Sequence, residues 1–115
     1  MIDLYGIPNC DSVRKARKWL ENAELTHQFH DFRKDGLERK TLQRWVKAIG
    51  WEALLNRRGT SWRQLPEADR ADLTEARAID LMLENPTLIK RPVIEQGKNI
   101  LVGVDLERYE AELHA

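Results

Sequence analysis

Cysteine is nearly missing from this chain. Cys10 is the only one among 115 residues, so no internal disulfide forms, and Val13 stands where a Cys-x-x-Cys pair would need its second thiol. A charge excess of either sign is also missing, because nineteen Lys and Arg are matched by nineteen Asp and Glu. Nucleic-acid binders usually carry a basic excess, and that class is not expected here. No apolar run reaches the ~20 residues of a membrane-spanning helix. The N-terminus lacks the basic-then-apolar pattern of a secretory signal. His27, His30 and His114 show no metal-ligand spacing with Cys10, so no metal is expected. Repeats, low-complexity tracts and linkers are absent. The expectation is one cytoplasmic domain, with 42% hydrophobic residues and four tryptophans for its core and a reducing compartment that keeps Cys10 free.

The chain is organised around the run Tyr5-Gly6-Ile7-Pro8-Asn9-Cys10-Asp11-Ser12-Val13. Residues 1–5 alternate, with Ile2 and Leu4 on one face, and read as a strand. Val13, Ala16, Leu20 and Ala23 recur at helical spacing and predict a helix to about Asn22. Pro8 and Asn9 are turn residues, and Asp11 or Ser12 suits the helix cap. Cys10 is thus expected in a strand-to-helix turn, beside backbone N–H groups whose partial positive charge favours a thiolate. On location alone two readings stand, a small buried hydrophobe and a nucleophile.

Residues 27–32 read as a second, parallel strand joined by a right-handed crossover. Arg33 to Gly36 reads as a turn, and Asp35 with Glu38 has capping-box spacing. Leu42, Trp45, Val46 and Ile49 mark a helix stopped by Gly50. Trp51 to Leu55 fits a further helical turn, and Asn56 to Ser61 a polar loop. Pro66 to Arg70 fits a helix start, and Thr74 caps a helix ended by Asn85-Pro86. Pro92 opens a strand. Gln96 to Asn99 turns a hairpin into a partner strand, Ile100 to Val104. Asp105 caps a last helix with Leu106, Tyr109 and Leu113 inward. The four tryptophans are read as packing residues. The order is β-α-β, a helical stretch, then β-β-α.

Four stretches, in order, carry a resemblance: Tyr5 to Cys10, Leu54-Leu55-Asn56-Arg57-Arg58-Gly59-Thr60, Leu88-Ile89-Lys90-Arg91-Pro92, and Ile100-Leu101-Val102-Gly103. The chain resembles the arsenate reductase (ArsC-like) family, including its Spx and YffB branches, and is most similar to the YffB-like branch. The resemblance implies an α/β, thioredoxin-like fold with a mixed four-stranded sheet. Its core would be about residues 1–32 and 87–115 of a single domain, with an all-helical insertion at about 33–86.

It also implies a site. Cys10 matches the nucleophile, and Arg91 matches one of three arginines that bind the oxyanion. The second falls at about Asn56, with Arg57 next to it, and the third at Gly103, which has no side chain. The activating histidine falls at Gly6. Pro92 is expected to be cis, its neighbouring backbone open to a peptide-like thiol. Asn9, Arg14, Asn56, Arg57, Arg91 and Pro92 are the expected contacts for glutathione or another small anionic thiol. Arg14 has two readings, a solvated surface arginine and a thiolate or carboxylate contact. Asn56, Arg57 and Arg58 read either as a polar loop or as a cleft wall, with Arg57 the arginine that turns inward. Asp11 is expected to oppose the thiolate.

No cofactor is expected to be tightly bound, and glutathione is the expected co-substrate. With one thiol, an outside thiol must resolve the mixed disulfide, from glutathione, glutaredoxin or a protein substrate. The resemblance to Spx adds an alternative, an adaptor that binds a protein such as RNA polymerase.

Overall fold

The computed structural model describes all 115 residues, Met1–Ala115. They divide into two compact units, Met1–Asp35 with Arg91–Ala115, and Gly36–Lys90. Both boundaries have local causes. Phe32 is buried and stacks near Tyr5, ring centroids 6.4 Å apart, which ties residues 32–35 to the first unit. In the second unit a bridge between Leu55 and Ile89 is flanked by Asn56 N–H donating to Leu88 O and Lys90 N–H donating to Leu54 O, each 2.8 Å.

The first unit is a four-stranded sheet in the order β2-β1-β3-β4. Strand β1 (Ile2–Gly6) runs parallel to β2 (His27–Asp31) and antiparallel to β3 (Val93–Gln96), which pairs antiparallel with β4 (Asn99–Val102). Helix α1 (Asp11–Asn22) makes the parallel crossover. Alternation sends Ile2, Leu4, Ile94 and Leu101 into a core shared with Val13, Ala16 and Leu20 of α1. Tyr109 of α8 (Leu106–Glu112) and Leu113, which ends that helix, complete it. Burying one such leucine contributes about 1.5–3 kcal/mol. Trp19 packs edge-on against Tyr109, 5.6 Å between ring centroids.

The second unit is all helical: α3 (Arg39–Ile49), α4 (Trp51–Leu54), α5 (Thr60–Arg63), α6 (Glu67–Arg70), α7 (Glu75–Glu84) and a 3₁₀ turn, Pro86–Leu88. Leu42, Trp45 and Val46 of α3 and Ala78, Ile79, Leu81 and Met82 of α7 are buried. Arg39 and Asp80 tie these two helices at 2.9 Å. Gly50 ends α3 at φ 88, and Thr74 caps α7 by accepting from Arg77 N–H at 3.3 Å, both as read from the sequence.

Several local expectations need correcting. The helix after Cys10 is capped by Cys10 itself, not Asp11 or Ser12, and Ala23 is exposed at its far end. Residues 32–35 form a one-turn helix, α2 (Phe32–Asp35), because Asp31 Oδ1 accepts from the N–H groups of Arg33 and Lys34. Asp35 bonds back to Asp31 N–H, so no capping box with Glu38 forms. Thr60 and Ser61 begin α5 instead of ending a loop, with the Ser61 hydroxyl 2.6 Å from that of Thr87. Strand β4 stops at Val102, since Gly103 at φ 79 turns the chain away. Leu106 is exposed, not inward.

Candidate active site

Cys10 takes the cap position of α1 because β1 ends at Gly6 and the Pro8-Asn9 turn delivers the next residue in extended conformation, φ −104 and ψ 125. Its carbonyl accepts the first helical hydrogen bond, from Arg14 N–H at 3.0 Å. At this position a serine or aspartate oxygen would take the free N–H groups of the first turn. Here a half-buried sulfur occupies that place. The neutral thiol makes no full capping bond, as a weak acceptor would not. Partial burial pushes the thiol pKa up. The Val13 N–H, the Arg91 guanidinium and the Ser12 N–H pull it down, and the Arg91 charge adds to them. Together they outweigh burial and hold Cys10 below the ordinary thiol value. The site therefore favours the thiolate over an ordinary thiol's balance.

Arg91 reaches Cys10 because it precedes β3, the neighbour of β1. The Arg91–Pro92 peptide is cis, in accord with the sequence reading. Pro92 O accepts from Gly103 N–H at 2.8 Å, which fastens this segment to the end of β4.

The two glycines at family side-chain positions have different causes. A Cβ on Gly6 would lie 2.6 Å from Val13 Cγ2, so no side chain fits there unless α1 moves. Gly103 has open space around its Cα but a positive φ that disfavours any side chain.

The other expected contacts are placed as follows. Asn9 is an exposed turn residue beside Cys10. Arg14 is turned to Asp11, with which it forms an ion pair, and is not among the groups acting on the sulfur. The same pair, with the Asp11 side chain 98% exposed, leaves Asp11 without the expected effect on the thiolate. Asn56 and Arg57 belong to the helical unit. Asn56 Oδ1 accepts from Arg58 N–H at 3.0 Å, and the Arg57 guanidinium lies over both Trp51 and Trp62, 5.7 and 5.8 Å from their centroids. Thus Trp51 and Trp62 hold a cation as well as filling space. The sequence reading places Cys10 beside the first backbone N–H groups of α1, and those of Val13 and Ser12 are the ones that act on it.

His30 lies 2.9 Å from Asp3 across β1 and β2 and stacks on Tyr5, a structural role. No group of three or more His, Cys, Asp or Glu is placed to hold a metal ion, and no helix is long and apolar enough to cross a membrane.

Known proteins resemble this chain in sequence and fold. A solved structure of a YFFB protein matches with a TM-score of 0.96 and 47% identity over 99% of this chain and 100% of that one. An arsenate reductase (ArsC) related protein from Brucella melitensis matches at 0.77 and 46%, covering 96% and 92%. The global transcriptional regulator Spx of Streptococcus pyogenes is 31% identical over 98% of this chain and 85% of its own. The profile of the ArsC family matches residues 5–112, and with these similarities it shows that the chain belongs to the ArsC family.

Proposed function

We propose that the protein is a glutathione-dependent monothiol reductase of the cytoplasm. The Cys10 thiolate attacks the glutathione sulfur of an oxidised thiol, R–S–S–G. The S–S bond of R–S–S–G breaks, R–S⁻ leaves and takes a proton, and Cys10–S–S–G forms. A second glutathione thiolate attacks the glutathione sulfur of that intermediate, which releases glutathione disulfide and restores the Cys10 thiolate. The substrate is reduced by two electrons, and two glutathione sulfurs are joined. A glutaredoxin would resolve the intermediate by the same exchange. Arg91 steadies the thiolate, and the backbone beside Pro92 pairs with the peptide part of glutathione. Arsenate is the less favoured acceptor, because Gly6 and Gly103 stand at two side-chain positions of the arsenate site.

The observation that carries this reading is the set of donors on Cys10, which lowers its pKa despite partial burial. Titration by ultraviolet absorbance or alkylation rate, with and without glutathione, tests it. Reactive cysteines titrate at roughly 3.5–7.5 and free ones near ~8.5. A depressed value with saturable protection by glutathione is expected, and turnover vanishes in Cys10→Ser. A value of ~8.5 or above with no glutathione effect refutes the reading.

The similarity to Spx over 98% of the chain favours one second reading, a non-enzymatic adaptor for RNA polymerase. A stable complex with polymerase that survives Cys10→Ser, together with no turnover, would establish it in place of the reductase.

A further inference from the structure

We propose that Tyr109 is a positioning residue for the Cys10 thiolate, acting through Gly103 and the Arg91–Pro92 segment. The inference rests on the reading of Cys10 as the working nucleophile.

Tyr109 is fully buried in the core of the sheet unit, and its hydroxyl donates to the carbonyl of Gly103. A buried phenol needs a partner, so one bond of this kind is expected of any buried tyrosine. The choice of partner is what gives it a further role. Gly103 stands at φ 79, directly after β4, and has no side chain to restrict its rotation. It is clamped on both sides. Its N–H donates to Pro92 O at 2.8 Å, and its carbonyl accepts from Tyr109. Pro92 follows Arg91, and the Arg91 guanidinium hydrogen-bonds the Cys10 sulfur.

The hydroxyl of Tyr109 therefore fastens the second side of Gly103 in the chain of contacts that leads to the guanidinium. Without it, Gly103 is held only through its N–H on Pro92 O, and the Arg91–Pro92 segment loses part of its support. Burial and the nearby Asp105 charge raise the Tyr109 pKa, so the phenol keeps its proton wherever Cys10 titrates. Asp105 also caps α8 by accepting from Arg108 N–H at 3.2 Å, which holds the tyrosine's own backbone in place.

The experiment compares Cys10 titration in the full chain for wild type, Tyr109→Phe and Leu113→Val. The valine variant loosens the same core and leaves the hydroxyl in place. Tyr109→Phe should raise the Cys10 midpoint by roughly 0.5–1 unit, and Leu113→Val should leave it unchanged. No shift in a folded Tyr109→Phe, or an equal shift in both variants, overturns the inference. Should Tyr109→Phe fail to fold, Gly103→Ala takes its place. A Cβ there meets nothing within 4 Å, so only the backbone torsion is perturbed, and the same upward shift is expected. An unshifted Gly103→Ala then overturns the inference.

An ordinary Cys10 midpoint in wild type refutes the reductase reading instead. The relay is then judged by hydrogen exchange of the Gly103 amide. Faster exchange in Tyr109→Phe than in Leu113→Val supports it, and equal exchange overturns it.

Discussion

Replacing Gly6 by alanine tests how tightly the end of β1 is pressed against α1. The backbone at Gly6 is ordinary strand, so the obstacle is steric alone. The new Cβ would sit 2.6 Å from Val13 Cγ2, closer than carbon atoms approach. Val13 is 1% exposed and β-branched, so it has no free rotamer into which to retreat. Overpacking of this kind costs about 1–3 kcal/mol. Val13→Ala alone removes two methyl groups and leaves a small cavity, at a cost of about 2 kcal/mol. The alanine of the first variant fits the space opened by the second. The double variant should therefore be destabilised by about 2 kcal/mol, not by the sum of the two. Urea denaturation of all four proteins measures the cycle. Additive losses would refute the claimed contact. The same strain displaces the Val13 N–H from Cys10, so Gly6→Ala should also raise the thiol midpoint.

Three further outcomes are expected. Because Cys10 titrates lower folded than unfolded, its contribution to stability is present above the unfolded value near ~8.5 and is lost as pH falls through the folded value. Urea midpoints against pH should show that slope in wild type and a flatter one in Cys10→Ser. His27 is lowered by burial and by the charge of Arg17, so it adds a stability penalty as pH falls through ~6.5, and His27→Gln should remove it; NMR titration of the imidazole checks the direction. Thr74→Ala deletes the cap of α7 and should cost about 1 kcal/mol, recovered largely by Thr74→Ser, as read by thermal unfolding.

What the sequence made legible follows the range of the forces involved. The alternation of Ile2 and Leu4, the spacing of Val13, Ala16 and Leu20, and the glycine after Ile49 are local signals, and the elements they mark are present. Cys10 as its own helix cap is hard to read, because cysteine rarely serves there and Asp11 and Ser12 compete on paper. Asp31 is the strand residue that the sequence reads as, but its side chain also accepts from the first N–H groups of α2, a second use that the alternation does not show. Of the two readings of Arg14 the solvated one is found, because helical position gives proximity without direction, and Asp11, three residues earlier, is the nearer charge. The link from Tyr109 through Gly103 to Pro92 runs through backbone groups, and no side-chain pattern records it.

The sheet places β1 between β2, which follows it closely in sequence, and β3, which lies far along the chain. On the ribosome the β1–α1–β2 segment emerges early but keeps one edge of its central strand unpaired until Val93 has been made. Residues 36–90 are mostly short helices, and their longest pairings, Arg39–Asp80 and the Leu55–Ile89 bridge, close within the segment, so it has the means to condense first. Bringing β3 back to β1 then closes a loop of the whole intervening chain, a slow step that leaves a strand edge exposed meanwhile. Cys10 and Arg91 meet only at that closure, so a chain cut before Arg91 lacks the guanidinium that acts on its thiol.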